Sequence, residues 1–322
     1  MCQGGVGLTD AIRISDLHKS FGEKQAVRGM ELVVPAGSLH GFIGPNGAGK
    51  TTTIRMIMSI IFPDRGELSV LGKKSAIESK DRIGYLHEER GVYKKMKVLP
   101  FIKYMAKLKG VTDQGLHMRA TDWLERVGLG EVAAKKCEEL SKGMQQKVQF
   151  IASVIHKPEL LILDEPFSGL DPVNMRLLRD LIREINDSGT TIIFSTHVMA
   201  QAEQLCDNIV MIHNGQKVLD DPLDRIRSRF DPKALLLEPM DRNLNEAQLT
   251  SIAGVELANR VDTGWEIVLE DGLAPSEAIA RIASQIETAR IEVKRPSLED
   301  IFIQIVQDDS YVPASGMQEV AS

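Results

Sequence analysis

The chain is poor in everything that would place it outside a cell or inside a bilayer. Its three cysteines, Cys2, Cys137 and Cys206, are odd in number and far apart, which excludes a disulfide framework. Such usage points to a reducing compartment, with the thiols acting as small apolar side chains. No apolar run approaches the ~18 residues that span a membrane; the longest patches, 54–62 and 160–163, are short or interrupted. Residues 1–10 carry neither the basic cluster nor the apolar stretch of a secretory leader and read as loose. Basic residues are not in excess. Against 39 Lys and Arg stand 45 Asp and Glu, a formal charge of −6, so no nucleic-acid partner is expected. Internal repeats and low-complexity tracts are absent as well.

What remains is an ordinary globular composition, 43% hydrophobic and 26% charged, which excludes collagen, coiled-coil and disordered classes. At roughly 150 residues per domain, 322 residues suggest two domains. Residues 11–221 alternate short apolar runs with helical patterns, the signature of an α/β domain with a largely parallel sheet. The pattern turns helical over about 88–157, where Phe101, Tyr104, Met105 and Leu108, then Leu116, Ala120, Trp123, Leu124 and Val127, recur at helical spacing. Asn214-Gly215 between two apolar runs predicts a hairpin. Residues 222–230 read as a charged linker. Residues 231–307 form a small α+β unit with strands at 234–237, 265–269 and 291–293. A helix opens there at Pro275, and a second follows a capping box at Ser297 and Asp300. Residues 308–322 read as a flexible tail.

The most informative segment is Gly44, Pro45, Asn46, Gly47, Ala48, Gly49, Lys50, Thr51, which fits G-x-x-x-x-G-K-[ST]. Glycines let successive backbone N–H groups turn around phosphate oxygens, and the N-terminus of the next helix aims at the same anion. Lys50 supplies a positive charge, and the Thr51 hydroxyl can ligate Mg²⁺. At average composition a chain this long would match by chance only about 0.01 times. The strand pattern at 39–43 and the helix pattern at 54–61 supply the required context. A second buried-strand pattern, 160–163, ends in Asp164 and Glu165, where an open α/β sheet places its ligands. Asp164 is expected to hold Mg²⁺ and Glu165 to polarise an attacking water.

Further elements give the chain a specific resemblance over about residues 11–220. It resembles the ATP-binding subunits of ABC transporters. Phe21 matches the aromatic that stacks on adenine, and 44–52, through Thr52, the phosphate loop. Leu140-Ser-Lys-Gly-Met-Gln145 is similar to the LSGGQ signature, and Ser168-Gly-Leu-Asp171 to the D-loop. His197, after the 190–195 strand pattern, matches the switch histidine. The resemblance implies an α/β fold, a P-loop NTPase core of ABC type with an antiparallel β portion and a helical insert, plus the small C-terminal α+β domain. It implies ATP and Mg²⁺ as cofactors, with Thr51, Asp164 and Glu88 toward the metal. Glu165, His197 and Glu88 would act in hydrolysis. Ser141, Gly143, Gln145 and Asp171 would meet the nucleotide held by a second copy or a similar subunit, arranged head to tail.

Three positions depart from the family pattern: Lys142 stands where glycine is common, Met144 where glutamine is common, and Glu88 where glutamine is usual. Glu88 keeps an oxygen and adds a charge, so coupling is expected to survive with altered metal dependence. The stretch 90–100, with Tyr93, Met96 and Leu99, is expected either to dock a polytopic membrane permease or to pack the insert's own core. Lys94, Lys95 and Lys97 read as a solvated face, with a lipid-facing site as the alternative. The C-terminal unit resembles the extension of type-2 exporter ATPases, including sodium-extruding and drug-resistance branches, and the Ile83-Gly-Tyr-Leu-x-Glu-Glu-Arg-Gly91 segment with the Leu-Ser-Lys-Gly signature resembles the sodium-exporter branch most. An ATPase peripheral to the inner face of the cell membrane is therefore expected. The alternative is a soluble ABC ATPase with a non-membrane partner. A GTPase switch is disfavoured, since no Asn-Lys-x-Asp segment occurs.

Overall fold

A computed structural model describes residues 10–89, 91–230, 233–241, 243–261 and 264–307. Cys2, Arg90, the 1–9 segment and the 308–322 tail of the sequence reading lie outside them. The described chain divides into two units, one through Leu223 and one covering Asp224–Gln307.

The first unit opens with an antiparallel hairpin, β1 (Asp10–Phe21) and β2 (Lys24–Pro35). Then come β3 (Leu39–Ile43), α1 (Lys50–Ile57), β4 (Arg65–Val70) and β5 (Ile83–Leu86). The insert follows as α2 (Val98–Leu108), α3 (Leu116–Arg126) and α4 (Lys142–Val154). The chain returns through β6 (Leu160–Asp164), α5 (Pro172–Asp187), β7 (Thr191–Thr196), α6 (Met199–Leu205), β8 (Asn208–His213) and β9 (Gln216–Pro222), and the short helix α7 (Leu223–Arg229) begins on the last residue of this unit. Six strands form one sheet in the order β5-β6-β7-β3-β8-β9, parallel except for β9. Every residue of β3, β6 and β7 is buried, since a parallel sheet is covered on both faces; this explains the apolar run of β6 and the apolar cores of β3 and β7, where His40, Thr191, Ser195 and Thr196 are buried as well. A three-stranded antiparallel sheet, β2-β1-β4, accompanies it. One apolar cluster joins them, including Ile14 and Met30 from the hairpin, Ile54 from α1, and Phe42, Ile162 and Val210 from the large sheet. α1, which carries the phosphate loop, is thereby anchored in the core.

The β8–β9 turn has Asn214 at φ 46° and Gly215 at φ 79°, the left-handed pair that a type I′ hairpin needs. In the insert, Phe101, Ile102, Ala106, Leu116, Ala120, Leu124 and Phe150 are buried, but Tyr104 and Leu108 are exposed. The buried stripe of α2 runs through 98, 101, 102 and 106, not through 104 and 108. The boundary between the two units falls within 222–230, but the segment is not irregular: it carries the short helix α7, with Leu223 and Ile226 both buried at i, i+3 spacing.

The second unit contains β10 (Ala234–Pro239), α8 (Glu246–Thr250), β11 (Val255–Val261), β12 (Gly264–Leu269), α9 (Pro275–Gln285), β13 (Thr288–Val293) and α10 (Leu298–Gln307). Its sheet is antiparallel in the order β11-β12-β10-β13, a split β-α-β-β-α-β arrangement. Leu235, Leu237, Leu249, Ile267 and Ile282 centre its core. The Ser297 hydroxyl accepts from Asp300 N at 3.1 Å and the Asp300 carboxylate accepts from Ser297 N at 3.2 Å, the expected capping box.

Candidate nucleotide site

The phosphate loop runs from the end of β3 into α1, and close backbone approach decides two of its glycines. A Cβ on Gly44 would lie 2.1 Å from the Ile212 carbonyl oxygen, and one on Gly49 2.6 Å from that of Ala26. Gly49 also holds φ 110°, a conformation open to glycine. It caps α1 without a side chain, so no side-chain acceptor takes up the helix's first N–H groups and they remain available to an anion. Lys50 is only 7% exposed. Its ammonium donates to the carbonyls of Gly44, at 2.6 Å, and Pro45, at 3.1 Å. Burial lowers its pKa, while the charges of Glu165, Asp164 and Glu88 oppose that shift.

Beside the loop lies a cavity of about 420 Å³. Asn46, Gly47, Ala48, Gly49, Lys50, Thr51 and Thr52 form one wall, with Glu88, Asp164 and Glu165 also at the cavity and Phe21 half exposed at its margin. The end of β6 delivers two carboxylates here, Asp164 as its last residue and Glu165 as the next. Asp164 is 1% exposed, and its Oδ2 has no hydrogen-bond partner. Burial raises its pKa, with Glu88 and Glu165 adding to the rise, and the nearby Ser195 hydroxyl and Lys50 opposing it. Glu165 holds φ 50°, uncommon for a side-chain-bearing residue. Its position is fixed by the end of β7. Its backbone N–H donates to Ser195 O at 2.9 Å, and Oε2 accepts from the Thr196 hydroxyl at 3.1 Å. Oε1 accepts from His197 N at 2.8 Å and lies 2.6 Å from His197 Nδ1.

Most of the residues singled out in the sequence thus meet at one place: Phe21, 46–52, Glu88, Asp164 and Glu165 directly, His197 through Glu165, and Gly44 and Pro45 through Lys50. The others do not line the cavity. Ser141 caps α4, its hydroxyl accepting from Met144 N at 3.3 Å. A Cβ on Gly143 would lie 3.2 Å from Gly169 O, so the signature turn abuts the 168–171 turn. Asp171 caps α5, accepting from Asn174 N at 3.0 Å and holding its own pKa down. Gln145 is not positioned toward a nucleotide. Its amide donates to Cys137 O, at 3.1 Å, and Leu140 O, at 3.0 Å, and so fastens the approach to α4. Lys24 and Ala26 line the cavity without having stood out in the sequence, and no local motif marks them. Thr196 was missed too; its place directly before His197 was the only available signal.

The donor set suits a hard divalent cation. Thr51, Asp164 and Glu88 offer only oxygen atoms to the one cavity, and the unpartnered Asp164 Oδ2 is a buried acceptor lacking a donor or a cation. Among the described residues no trio of His, Cys, Asp or Glu could hold a metal unaided. Such an ion therefore fits here as one shared with phosphate oxygens. No helix among the described residues is long and apolar enough to cross a membrane.

Comparison with known proteins agrees with this geometry. Residues 27–168 match the family model "ABC transporter", and residues 222–306 match "ATP-binding protein DrrA1-3-like, C-terminal domain". The chain is 39% identical over 295 residues to the uncharacterized ABC transporter ATP-binding protein YhaQ of Bacillus subtilis, covering 92% of this chain and 98% of that one. It is 31% identical over 314 residues to the bacitracin transport ATP-binding protein BcrA of Bacillus licheniformis, covering 93% and 98%. A solved structure, "Structure of ATP binding subunit of ABC transporter", superposes with a TM-score of 0.64 at 30% identity, covering 68% of this chain and 93% of that one.

Proposed function

Because the chain belongs to the family of ABC transporter ATP-binding proteins, we propose that it hydrolyses ATP to drive export through a separate membrane permease, two ATPase subunits acting head to tail. The observation that carries the reading is the single cavity joining the phosphate loop to Asp164 and to a Glu165 already fixed by His197 and Thr196. ATP would place its triphosphate along 46–52, with the loop N–H groups and Lys50 on the β- and γ-phosphates. Phe21 would face the adenine. Thr51, Asp164 and Glu88 would hold magnesium, which when bound neutralises charge on the phosphate oxygens.

Glu165 would take a proton from the attacking water as the new O–P bond forms and the bond to the β,γ-bridging oxygen breaks, giving ADP and phosphate. His197 would keep the carboxylate aimed and contact the γ-phosphate. Ser141, Gly143 and Asp171, outside this chain's own cavity, would complete the site of the facing subunit. ATP binding would then close the pair and hydrolysis reopen it. Cargo recognition would belong to the permease. The DrrA-like C-terminal match and the similarity to a bacitracin transport protein support drug-type export over sodium. The subunit would sit peripherally on the inner membrane face.

Tagged Glu165→Gln protein, recovered with ATP from gently solubilised native membranes, tests the assignment. A polytopic membrane protein at stoichiometric level is expected, and transport by that pair would name the cargo. Recovery with ribosomes, with another soluble partner, or alone would overturn the transport role while leaving the ATPase chemistry standing.

A further inference from the structure

Helix α4 buries three polar side chains within four positions, Gln146, Lys147 and Gln149, an unusual load for a helix face turned to the interior. The two glutamines reach loops beside the nucleotide site, and the lysine reaches the first turn of α5. The Gln146 amide donates to Pro166 O at 3.0 Å, one residue past Glu165. The Gln149 amide donates to Glu89 O at 3.3 Å, beside Glu88. The Lys147 ammonium donates to Val127 O at 2.7 Å and to Asn174 Oδ1 at 3.0 Å. Asn174 in turn donates to Asp171 twice, from its backbone N at 3.0 Å and from Nδ2 at 2.5 Å.

The chemistry of this chain of contacts allows one orientation only. An ammonium can only donate and a carboxylate can only accept, whereas an amide side chain offers one of each. With Lys147 on one side and Asp171 on the other, Asn174 must turn Oδ1 to the lysine and Nδ2 to the carboxylate. We propose that Lys147 is a positioning residue: it fixes the Asn174 amide, and through it Asp171 and the 168–171 turn, in register with Ser141 and Gly143 on the same helix. The register is tight, since Gly143 lies one turn before Lys147 on α4 and already abuts Gly169 O. The consequence for turnover rests on the head-to-tail reading above, in which 141, 143 and 171 face the other subunit together.

A bland role makes the opposite forecast. Buried charges are costly, and an apolar side chain of similar size is often tolerated or stabilising in their place. If Lys147 only fills space, Lys147→Met should leave turnover intact. Burial lowers the lysine pKa, and among the described residues no carboxylate lies within ion-pair distance of its ammonium; Asp171 acts on it only at longer range.

The full-length chain is assayed for kcat, KM for ATP, binding of a fluorescent ATP analogue and thermal midpoint. The variants are Lys147→Met, Lys147→Arg, Asn174→Asp and the Lys147→Met/Asn174→Asp double. Lys147→Met should bind the analogue within about twofold of wild type, yet lose kcat by about tenfold to a hundredfold, as small misplacements do. Lys147→Arg, still a pure donor, should recover much of that loss. Asn174→Asp keeps an acceptor for Lys147 and the backbone donor to Asp171 but replaces the side-chain donor with a second carboxylate, so it should lose as much as Lys147→Met. The double variant should be no worse than either single, because the residues act as one unit. A wild-type kcat in Lys147→Met, or an arginine variant as impaired as the methionine one, overturns the proposal. Amide exchange over residues 168–175 of the nucleotide-free chain judges it separately from the head-to-tail reading. Faster exchange in Lys147→Met than in Lys147→Arg supports the relay even if wild type shows no turnover, and equal exchange removes it.

Discussion

The two halves of the nucleotide site are built in opposite ways. In one half, the ends of β3 and β6 and the start of α1 bring the loop, Lys50, Asp164 and Glu165 to one cavity of about 420 Å³. Burial there strains the electrostatics: Asp164 is pushed up in pKa, Lys50 is pushed down, and an acceptor on Asp164 lacks a partner. In the other half, Ser141 and Asp171 sit at the surface, their oxygens taken up in capping α4 and α5. Buried groups pushed away from their ordinary pKa mark places poised for chemistry, whereas the Asp171 carboxyl is lowered by the same hydrogen bonds that make it a cap, and such helix ends are stable as they stand. The contrast supports a division of labour in which the first half binds and reacts and the second is complete in itself until another subunit approaches.

The largest expected effect falls on the first half. Glu165→Gln removes the proton acceptor but keeps the shape, so kcat should drop by about 10²–10⁴-fold with ATP still bound. The same variant should move to the size of a dimer on a gel-filtration column when ATP is added. Turnover near the wild-type rate would show that Glu165 is not the base, and the first half would lose its claim to the chemistry. Lys50→Ala comes next. Hydrogen bonds from a charged donor contribute about 1.5–3 kcal/mol each. ATP affinity should fall by roughly a hundredfold in equilibrium dialysis. Unchanged affinity would undo the phosphate-loop argument.

How much of this was legible in the sequence follows the same divide. The phosphate loop could be read because its requirements are local: glycines for close approach at 44 and 49, a lysine and a threonine at fixed spacing. The buried β6 announced itself as an unbroken apolar run, and β3 and β7 as short apolar segments in the right places before and after it. β11 did not, because only Val255 and Ala258 of its seven residues are buried and its register shifts near 255–257. Helix α7 hid behind its charges. Lys24, Ala26, Thr196 and Lys147 were invisible for a different reason, since each reaches the site or its supports through tertiary contacts that no spacing encodes. Gln145 is the converse case: the signature drew attention to it, and the fold uses its amide for backbone carbonyls.

The second half is tested by Ser141→Ala. Loss of the cap should cost about 1 kcal/mol of stability and lower the thermal midpoint of a unit this size by roughly 2–4 °C. ATP affinity of the isolated chain should stay unchanged, because Ser141 does not line its cavity. A tenfold fall in kcat, about 1.4 kcal/mol of barrier, is expected if the hydroxyl serves the facing site. Weakened binding in the monomer would instead collapse the two halves into one.

The smallest effect is expected at the margin of the first half. Phe21 is 53% exposed at the end of β1, with the Lys19 ammonium 5.7 Å from its ring centroid. A ring that open packs little of the core, so Phe21→Ala should leave the thermal midpoint almost unmoved. Stacking of a base on an aromatic contributes about 1–3 kcal/mol when the base is enclosed. With the outer face of Phe21 open to water, the lower end of that range applies, or about a fivefold rise in KM for ATP. Base and triphosphate are held by different elements, β1 and the 46–52 loop, so kcat should be unaffected: an interaction made equally in ground and transition states changes KM alone. Because every base has a π face, the loss should be similar for ATP and GTP. A loss confined to ATP would mean that the ring reads the base edge as well as stacking on it, while a fall in kcat would mean that the aromatic margin and the catalytic carboxylates move as one body.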